Sequence, residues 1–383
     1  MRAYNERLVL SLVRRHGGLA KADITRNSGL SAQTVSVIMR ELERDGLLLR
    51  GEPIKGKVGQ PSVPMHLAPD GALSFGLKIG RRSADLALMN FVGEVTHQLS
   101  QVYPYPLPRP ILDFAAHGID QFVKSLSKEN QGRIAGLGIA TPFELWNWSD
   151  DIGAPRQEMA VWRETDVAEE LAGRCKLPVF SQNDATAACG AELIFGRGVD
   201  QGTFLYVFIG SFIGGGIVLN HSLYAGQSGN AGALGSMPLL AADGSPRQLI
   251  DEASIVVLEN QLRALGMDPS RLWRGGEGWS GFDELLEQWI GHTARNLANA
   301  IVASCSVIDF PLAIIDGAFP AGVRRAIVEA TRRAISDLDL QGIQRPDLVE
   351  GMVGPKARVI GAAALPFFAR YLVDQDVLFK SSA

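Results

Sequence analysis

Gln33, Thr34 and Ser36 stand close together, with Arg40 one helical turn further on. An amide, two hydroxyls and a guanidinium so spaced can donate to and accept from the groove edges of base pairs. Ser31, just ahead of them, adds a third hydroxyl. Lys55, Lys57 and Gln60 follow in a glycine-bearing segment whose charges and amide suit phosphate oxygens. The chemistry in view is recognition of duplex DNA.

Elements of matching period surround these residues. Residues 4–16 read as a helix with Leu8, Val9 and Leu12 on one side, and Lys21 to Ser28 as a second, shorter helix carrying Ile24. Gly29 supplies a tight turn, since it tolerates positive φ, and Ser31 reads as the N-cap of a third helix. Val35, Ile38 and Leu42 form the inner face of that helix, opposite Gln33, Thr34, Ser36 and Arg40. A helix, a Gly-containing turn and a helix place a recognition helix in the major groove. Leu47–Arg50 and Val63–Leu67 read as two strands, and the basic segment between them as a wing reaching phosphates or the minor groove. A small helical protein-interaction module with a solvated basic loop is the alternative for the same residues.

Charge distribution supports the DNA reading. The 383-residue chain carries a net −4, yet residues 1–68 hold 11 Lys/Arg against 6 Asp/Glu, so the acidic excess lies entirely in the rest. A basic head on an acidic body is the asymmetry expected when one small module touches phosphates. The three cysteines, Cys175, Cys189 and Cys305, are too scattered for a disulfide framework or a zinc site and fit a reducing compartment. The N-terminal stretch lacks a signal peptide's apolar core, and no run reaches the roughly 18 apolar residues of a membrane span, so the expected location is the cytoplasm.

Pro69 and Gly71 mark a boundary behind the head. From Leu73 three strands follow, with a turn at Val92-Gly93-Glu94, then a helix near 111–127 and a buried strand in IAGLGIATP. A helix over 165–175 leads to the strand PVFSQNDA. TFLYVFIGS, GGGIVLN, several helices and AIIDG repeat the theme. Strands in a meander and then alternating with helices predict an α/β fold of two related lobes, 72–182 and 183–383, behind a head of 1–68.

The segments GKVGQPS, FGLKIG with FVGEV, GLGIATP, Trp162, QNDATAACGAE, IGSFIGGGIV and AGALGS, taken in that order, resemble the ROK family of bacterial repressors and sugar kinases. Their joint order is far more specific than Gly214-Gly215-Gly216 alone, since tight strand turns also need glycine. The resemblance spans essentially the whole chain. It implies a winged helix-turn-helix followed by a two-lobed actin-like, ribonuclease-H-like fold with a cleft. In the family's kinases an Asn-Asp pair holds the sugar, and the Asp takes the proton of the attacking hydroxyl. Asn183 and Asp184 match that pair, and the implied ligand contacts are Asn183, Asp184, Gly214, Gly215 and Ser236. Asn and Asp also favour helix caps, so the pair reads equally as a capped helix start.

The chain departs from the kinases at several matched positions. The first phosphate loop, Asp-led and glycine-rich in the kinases, is Lys78-Ile79-Gly80-Arg81-Arg82-Ser83 here, and Lys78 cannot help hold magnesium. The second loop, rich in glycine there, is Asp316-Gly317-Ala318-Phe319-Pro320. The family's metal-binding His matches Ser236, and the Cys cluster beyond it is missing, so no metal is expected. Two sugar-binding Glu positions match Ala233 and Ile250. Trp146 and Trp148 read as packing or as a stacking surface for a sugar.

The expected function is a DNA-binding transcriptional regulator, a repressor of carbohydrate-metabolism genes that responds to a sugar or related metabolite. It would act as a homo-oligomer, at least a dimer, on double-stranded operator DNA, with no cofactor and no kinase activity. The alternatives are a ligand-independent dimeric repressor, favoured by Ala233 and Ile250, and an active ATP-dependent sugar kinase with a fused DNA-binding head.

Overall fold

The computed structural model describes residues 2–54, 62–143, 145–148, 153–240 and 244–373. By internal contacts the chain divides into Met1–Asp184 with Val359–Ala383, and Ala185–Arg358.

The head opens the first unit. It contains α1 (Arg2–Arg15), β1 (Leu19–Ala20), α2 (Lys21–Ser28), α3 (Ala32–Arg44), β2 (Leu48–Arg50) and β3 (Pro64–Leu67), with the strands in the order β1-β3-β2. Val9, Leu10, Val13, Ile24, Val35, Ile38, Leu42 and Leu48 lie in its buried core. α2 and α3 bury the residues expected from their spacing, whereas in α1 Leu8 and Leu12 are only half-buried and Leu10 and Val13 take their place beside Val9. The third strand, β1, was not foreseen. Gly17 and Gly18, both at positive φ, turn the chain into it, and the His66 ring bonds the Gly17 carbonyl at 2.7 Å.

Behind the head, β4 (Leu73–Ile79), β5 (Ser83–Asn90), β6 (Val95–Val102), β7 (Ile134–Thr141) and β8 (Val179–Asn183) form a sheet ordered β6-β5-β4-β7-β8. The first three strands are antiparallel and the last two parallel. β4 is buried along its whole length, while edge strand β6 alternates between half-buried and exposed, as one-sided burial requires. One face is covered by α4 (Pro108–Ser125), which starts on a proline and buries Ile111, Leu112, Ala115, Ile119 and Phe122. α5 (Val167–Cys175), capped by Asp166, packs beside it.

The second unit repeats this sheet plan. After α6 (Asp184–Phe195) come β9 (Phe204–Ile209), β10 (Ile213–Leu219) and β11 (Ser222–Tyr224), then a hairpin of β12 (Pro238–Leu240) and β13 (Pro246–Gln248). α7 (Leu249–Ala253), α8 (Ile255–Ala264), α9 (Asp283–Val307), β14 (Leu312–Gly317), α10 (Ala321–Ser336) and β15 (Asp347–Glu350) complete it. The sheet order is β11-β10-β9-β14-β15, again three antiparallel strands followed by parallel ones. Leu258, Trp289, Leu297, Ile301, Ile315 and Ile327 lie in its core.

The chain then returns to the first unit. The sequence reading ran the second lobe from 183 to 383, whereas residues from Val359 onward group with the first unit. The reason is the fit of α11 (Ala357–Tyr371) onto two strand glycines. A Cβ at Gly138 would lie 1.8 Å from the Ala362 carbonyl oxygen, and one at Gly76 would lie 2.4 Å from that of Val359. Only glycine allows this approach.

The end of α11 also meets the head. The rings of Phe367 and Tyr371 pack edge-on against Phe91 at 5.3 and 5.1 Å. The Arg14 guanidinium of α1 lies 5.1 Å over the same Phe91 ring and donates to the Phe91 carbonyl. Burial pushes its pKa down to about 10. Ser11 accepts a bond from the Val373 amide at 3.0 Å, and Arg133 reaches the carbonyls of Asp45 and Gly71.

Candidate nucleic-acid interface and ligand site

The turn before α3 is built as its residues predict. α2 ends on Gly29 in the left-handed region, at φ 69°. Ser31 then caps α3, its hydroxyl accepting from the Thr34 amide at 3.1 Å and lying 2.9 Å from the Thr34 hydroxyl. Both hydroxyls are therefore partly engaged in the cap. Val35, Ile38 and Leu42 hold α3 to the head by its inner face. On the outer side Gln33 and Arg40 are exposed and Ser36 is half-buried. Arg40 keeps one bond to its own helix, from Nε to the Ser36 carbonyl at 3.2 Å. An anchored helix with an amide, a hydroxyl and a guanidinium on its open side can present hydrogen-bonding groups to a groove.

The stem of the wing extends past the two strands. Ile54 and Ser62 form a bridge, with paired backbone bonds of 2.8 and 3.0 Å. Lys55, Lys57 and Gln60 lie outside the described residues. An ion pair that sequence reasoning missed joins α3 to β2, Arg50 Nε to Glu43 at 2.7 Å. It holds the Glu43 carboxyl below and the Arg50 guanidinium above their ordinary values.

In the first unit, Asn183 ends β8 and Asp184 begins α6, both half-buried. The pair thus sits at a strand-to-helix junction, and the Asn183 amide is taken by the Gln182 side chain at 2.8 Å. In the second unit, Gly214 and Gly215 do not form a loop. They lie inside β10, paired with Phe208 and Val207. A Cβ at Gly214 would meet Ala185 of α6 at 2.7 Å, and one at Gly215 would meet Leu234 at 2.6 Å. Close packing is reason enough for these glycines. Ser236 is exposed at the end of the turn Leu234–Ser236, beside the exposed Ala233, and Ile250 is half-buried against the core.

The segment matching the first phosphate loop is closed on itself. The Lys78 ammonium donates to the Ser83 carbonyl at 3.1 Å, the Ser83 hydroxyl at 2.9 Å and the Asp85 carboxylate at 2.9 Å. Ser100 donates to the other Asp85 oxygen at 2.6 Å. Lys78 and Arg81 are both buried. The β4–β5 turn is thus tied by an internal ammonium–carboxylate pair.

The segment matching the second loop is equally occupied. The Asp316 carboxylate is fully buried and accepts from the amides of Gly317 and Gly354 at 2.8 Å each, from Arg324 at 3.2 Å and from the Tyr206 hydroxyl at 3.3 Å. Burial pushes its carboxyl up. Glu192 of α6, not singled out in the sequence, is also fully buried. It accepts from the amides of Arg197 at 2.7 Å, Met352 at 3.1 Å and Val353 at 3.3 Å. Burial raises its pKa as well. Its sequence signal, an acid on an otherwise apolar helical run, points to a buried hydrogen-bond acceptor as readily as to a ligand.

Trp146 and Trp148 pack against the first unit's core cluster, in keeping with the packing reading. The segment after Ser236 is the β12–β13 hairpin leading into α7, which opens with a capping box between Gln248 and Asp251. Among the described residues no helix is long and apolar enough to cross a membrane.

Comparison with known proteins adds to this geometry. Residues 74–248 match the model of the ROK family, and residues 2–48 match that of the winged helix-turn-helix DNA-binding family. The xylose repressor of Bacillus subtilis is 23% identical over 235 residues, covering 61% of this chain and 60% of that repressor. The match thus spans about three fifths of that repressor's length. Among solved structures, a ROK family transcriptional regulator, a homolog of the E. coli MLC protein, aligns with a TM-score of 0.66 at 21% identity, over 95% of this chain and 96% of that one. The ROK hexokinase of Thermus thermophilus aligns with a TM-score of 0.55 at 22% identity, over 76% of this chain and 96% of that one.

Proposed function

We propose that the chain, which matches the ROK family over residues 74–248 and a winged helix-turn-helix DNA-binding family over residues 2–48, is a sugar-responsive transcriptional repressor without kinase activity. The observation that carries this reading is α3, anchored by Val35, Ile38 and Leu42 and open on the side of Gln33, Ser36 and Arg40. Lys55, Lys57 and Gln60 would contact phosphates from the wing, and Ser31 and Thr34 would combine capping with contacts at the helix start. A homodimer in the cytoplasm would set two such helices on a palindromic operator. The effector would be a small polyhydroxylated metabolite held by Asn183, Asp184, Gly214, Gly215 and Ser236. It would act by favouring one arrangement of the chain over another.

Two variants separate base reading from phosphate binding. Gln33→Ala should change sequence preference at one base pair by roughly 1–3 kcal/mol. Lys57→Ala should weaken binding alike on all sequences and lower the salt slope by about one. If both variants bind operator DNA as the parent does across a salt series, α3 and the wing are not the interface.

The absence of kinase activity rests on Lys78. Its ammonium, bonded to Ser83 and Asp85, stands where the family's kinases carry the Asp of the phosphate loop. Incubated with magnesium-ATP and common hexoses, the chain should form no sugar phosphate. Turnover in the kinase range of roughly 1–100 per second would refute this. Lys78→Asp alone should restore nothing, because Asp316 and its loop remain committed to Gly317, Gly354, Arg324 and Tyr206.

A second reading is a repressor whose body only dimerises. It is favoured by the packing of Gly214 and Gly215 against Ala185 and Leu234 and of Ile250 against the core, which leaves few polar groups for a sugar. Titration of sugars into wild type and Asp184→Ala separates the two readings. A sugar that binds wild type and not Asp184→Ala supports the sensing repressor.

A further inference from the structure

The second unit holds a cavity of about 530 Å³ lined by Arg197, Arg332 and Arg345. It lies where β14 and β15 begin, at Leu312 and at Asp347–Val349. Asp316 and Gly317 stand at the far end of β14, and β10 pairs with β9 at that far end through Gly214 and Phe208.

The charges there are uncompensated. Three other arginines of this unit sit in ion pairs, Arg274 with Asp268, Arg324 with Asp316, and Arg325 with Glu350, while Arg263 and Arg271 bond a side-chain amide and backbone carbonyls instead. Among the described residues none of the three cavity arginines has a carboxylate at ion-pair distance. One carboxylate, Asp347, lines the cavity against three guanidinium groups, so the local field is positive.

Two of the three are also held in place. Arg332 donates from Nε to the Leu348 carbonyl at 3.1 Å and from Nη2 to the same oxygen. Arg345 donates from Nη2 to the Arg332 carbonyl and to the Ser336 hydroxyl, both at 3.0 Å. Guanidinium forks fixed in this way keep their remaining N–H groups for a planar or tetrahedral anion and lose little freedom on binding it. The volume is that of a small-molecule site and much exceeds a bare ion. Leu312 and Leu348 supply an apolar wall, while Gln201 and Asp347 can bond hydroxyls.

We propose that this cavity binds a small phosphorylated metabolite, its phosphate on Arg197, Arg332 and Arg345 and its carbon body against Leu312 and Leu348. This site is independent of the sugar site and does not rest on the reading given above.

The test is calorimetric titration of the full chain with glycerol 3-phosphate, glucose 6-phosphate, glucose and citrate. At least one phosphate ester should bind, and Arg197→Ala and Arg345→Ala should each weaken it about tenfold or more, as loss of a charge-assisted bond does. Asp184→Ala should leave that affinity unchanged. The Arg197 side chain makes no hydrogen bond among the described residues, so Arg197→Ala removes charge without removing structure, and its melting temperature should match wild type. The proposal is overturned if no ester binds at millimolar concentration, if citrate binds and the esters do not, if both arginine variants bind like the parent, or if Asp184→Ala abolishes ester binding.

Discussion

Replacing Gly138 by Val should leave the first unit largely unfolded. The glycine lies in the middle of β7, between Gly76 of β4 and Phe180 of β8. A Cβ there would sit 1.8 Å from the Ala362 carbonyl oxygen, 2.7 Å from its carbon and 3.2 Å from the Leu365 Cβ. Two of these three atoms are backbone, so no rotamer change relieves the clash, and α11 must move off the sheet. Overpacking a core costs about 1–3 kcal/mol and more where the backbone must shift. Here the shift also strips Phe367 and Tyr371 from Phe91. Against a typical total stability of about 5–15 kcal/mol such a loss is decisive. Gly138→Ala should show the same defect in milder form. Gly173, inside α5 with nothing within 4 Å of its Cβ position, is the control. Gly173→Ala should raise the urea midpoint through a gain of up to about 1 kcal/mol in helix propensity. If Gly138→Val melts in urea where wild type does, α11 does not lie on β7.

Glu192→Ala should cost the second unit at least about 3 kcal/mol. Three amides, those of Arg197, Met352 and Val353, bond this one buried carboxylate. Each buried donor left without a partner costs about 1–3 kcal/mol. Gly196 adds to the constraint, since a Cβ there would come within 2.3 Å of the Glu192 carboxyl. Glu192→Gln should lose less, because its carbonyl oxygen still accepts. The pH dependence has a definite sign. Burial raises the Glu192 carboxyl above its unfolded value, so in the window between the two the folded chain binds more protons than the unfolded one. Lowering the pH through that window therefore favours the folded state at this group. The stability difference between wild type and Glu192→Gln should shift toward wild type as the pH falls to the ordinary carboxyl range. Urea midpoints of the two proteins at several pH values measure it, and a shift in the opposite direction contradicts the assignment.

Much of the architecture was legible because it follows local period. The head's three helices, the cap at Ser31 and the turn at Gly29 depend on neighbours a few residues away, and so could be read in order. The strands from Leu73 to Val102 and the parallel strand through Gly138 announced themselves by apolar runs and by turn residues at Val92-Gly93-Glu94. What stayed hidden depends on partners remote in sequence. β1 is two residues long and exists only because β3 lies beside it. The return of α11 to the first sheet is written in Gly76 and Gly138, but as a missing Cβ whose partner lies more than two hundred residues further on. GGGIVLN read as a strand, but the cause of its three glycines, the pressure of Ala185, Cys189 and Leu234 on β10, did not show. Lys78 was recognised as a misfit for a phosphate loop, but its bonds to Ser83 and Asp85 could not be foreseen from spacing. The cavity of Arg197, Arg332 and Arg345 joins residues from three separate stretches and gave no signal in the sequence.

Sequence-specific DNA binding by α3 is tested most directly by selection from a pool of genomic duplex fragments. The full chain, incubated with such fragments at physiological salt, should retain a small set sharing a two-fold repeated motif. It should bind that set at least about a thousandfold more tightly than bulk duplex, and Arg40→Ala combined with Gln33→Ala should erase the preference. Retention of all fragments alike, or of none, would contradict the account.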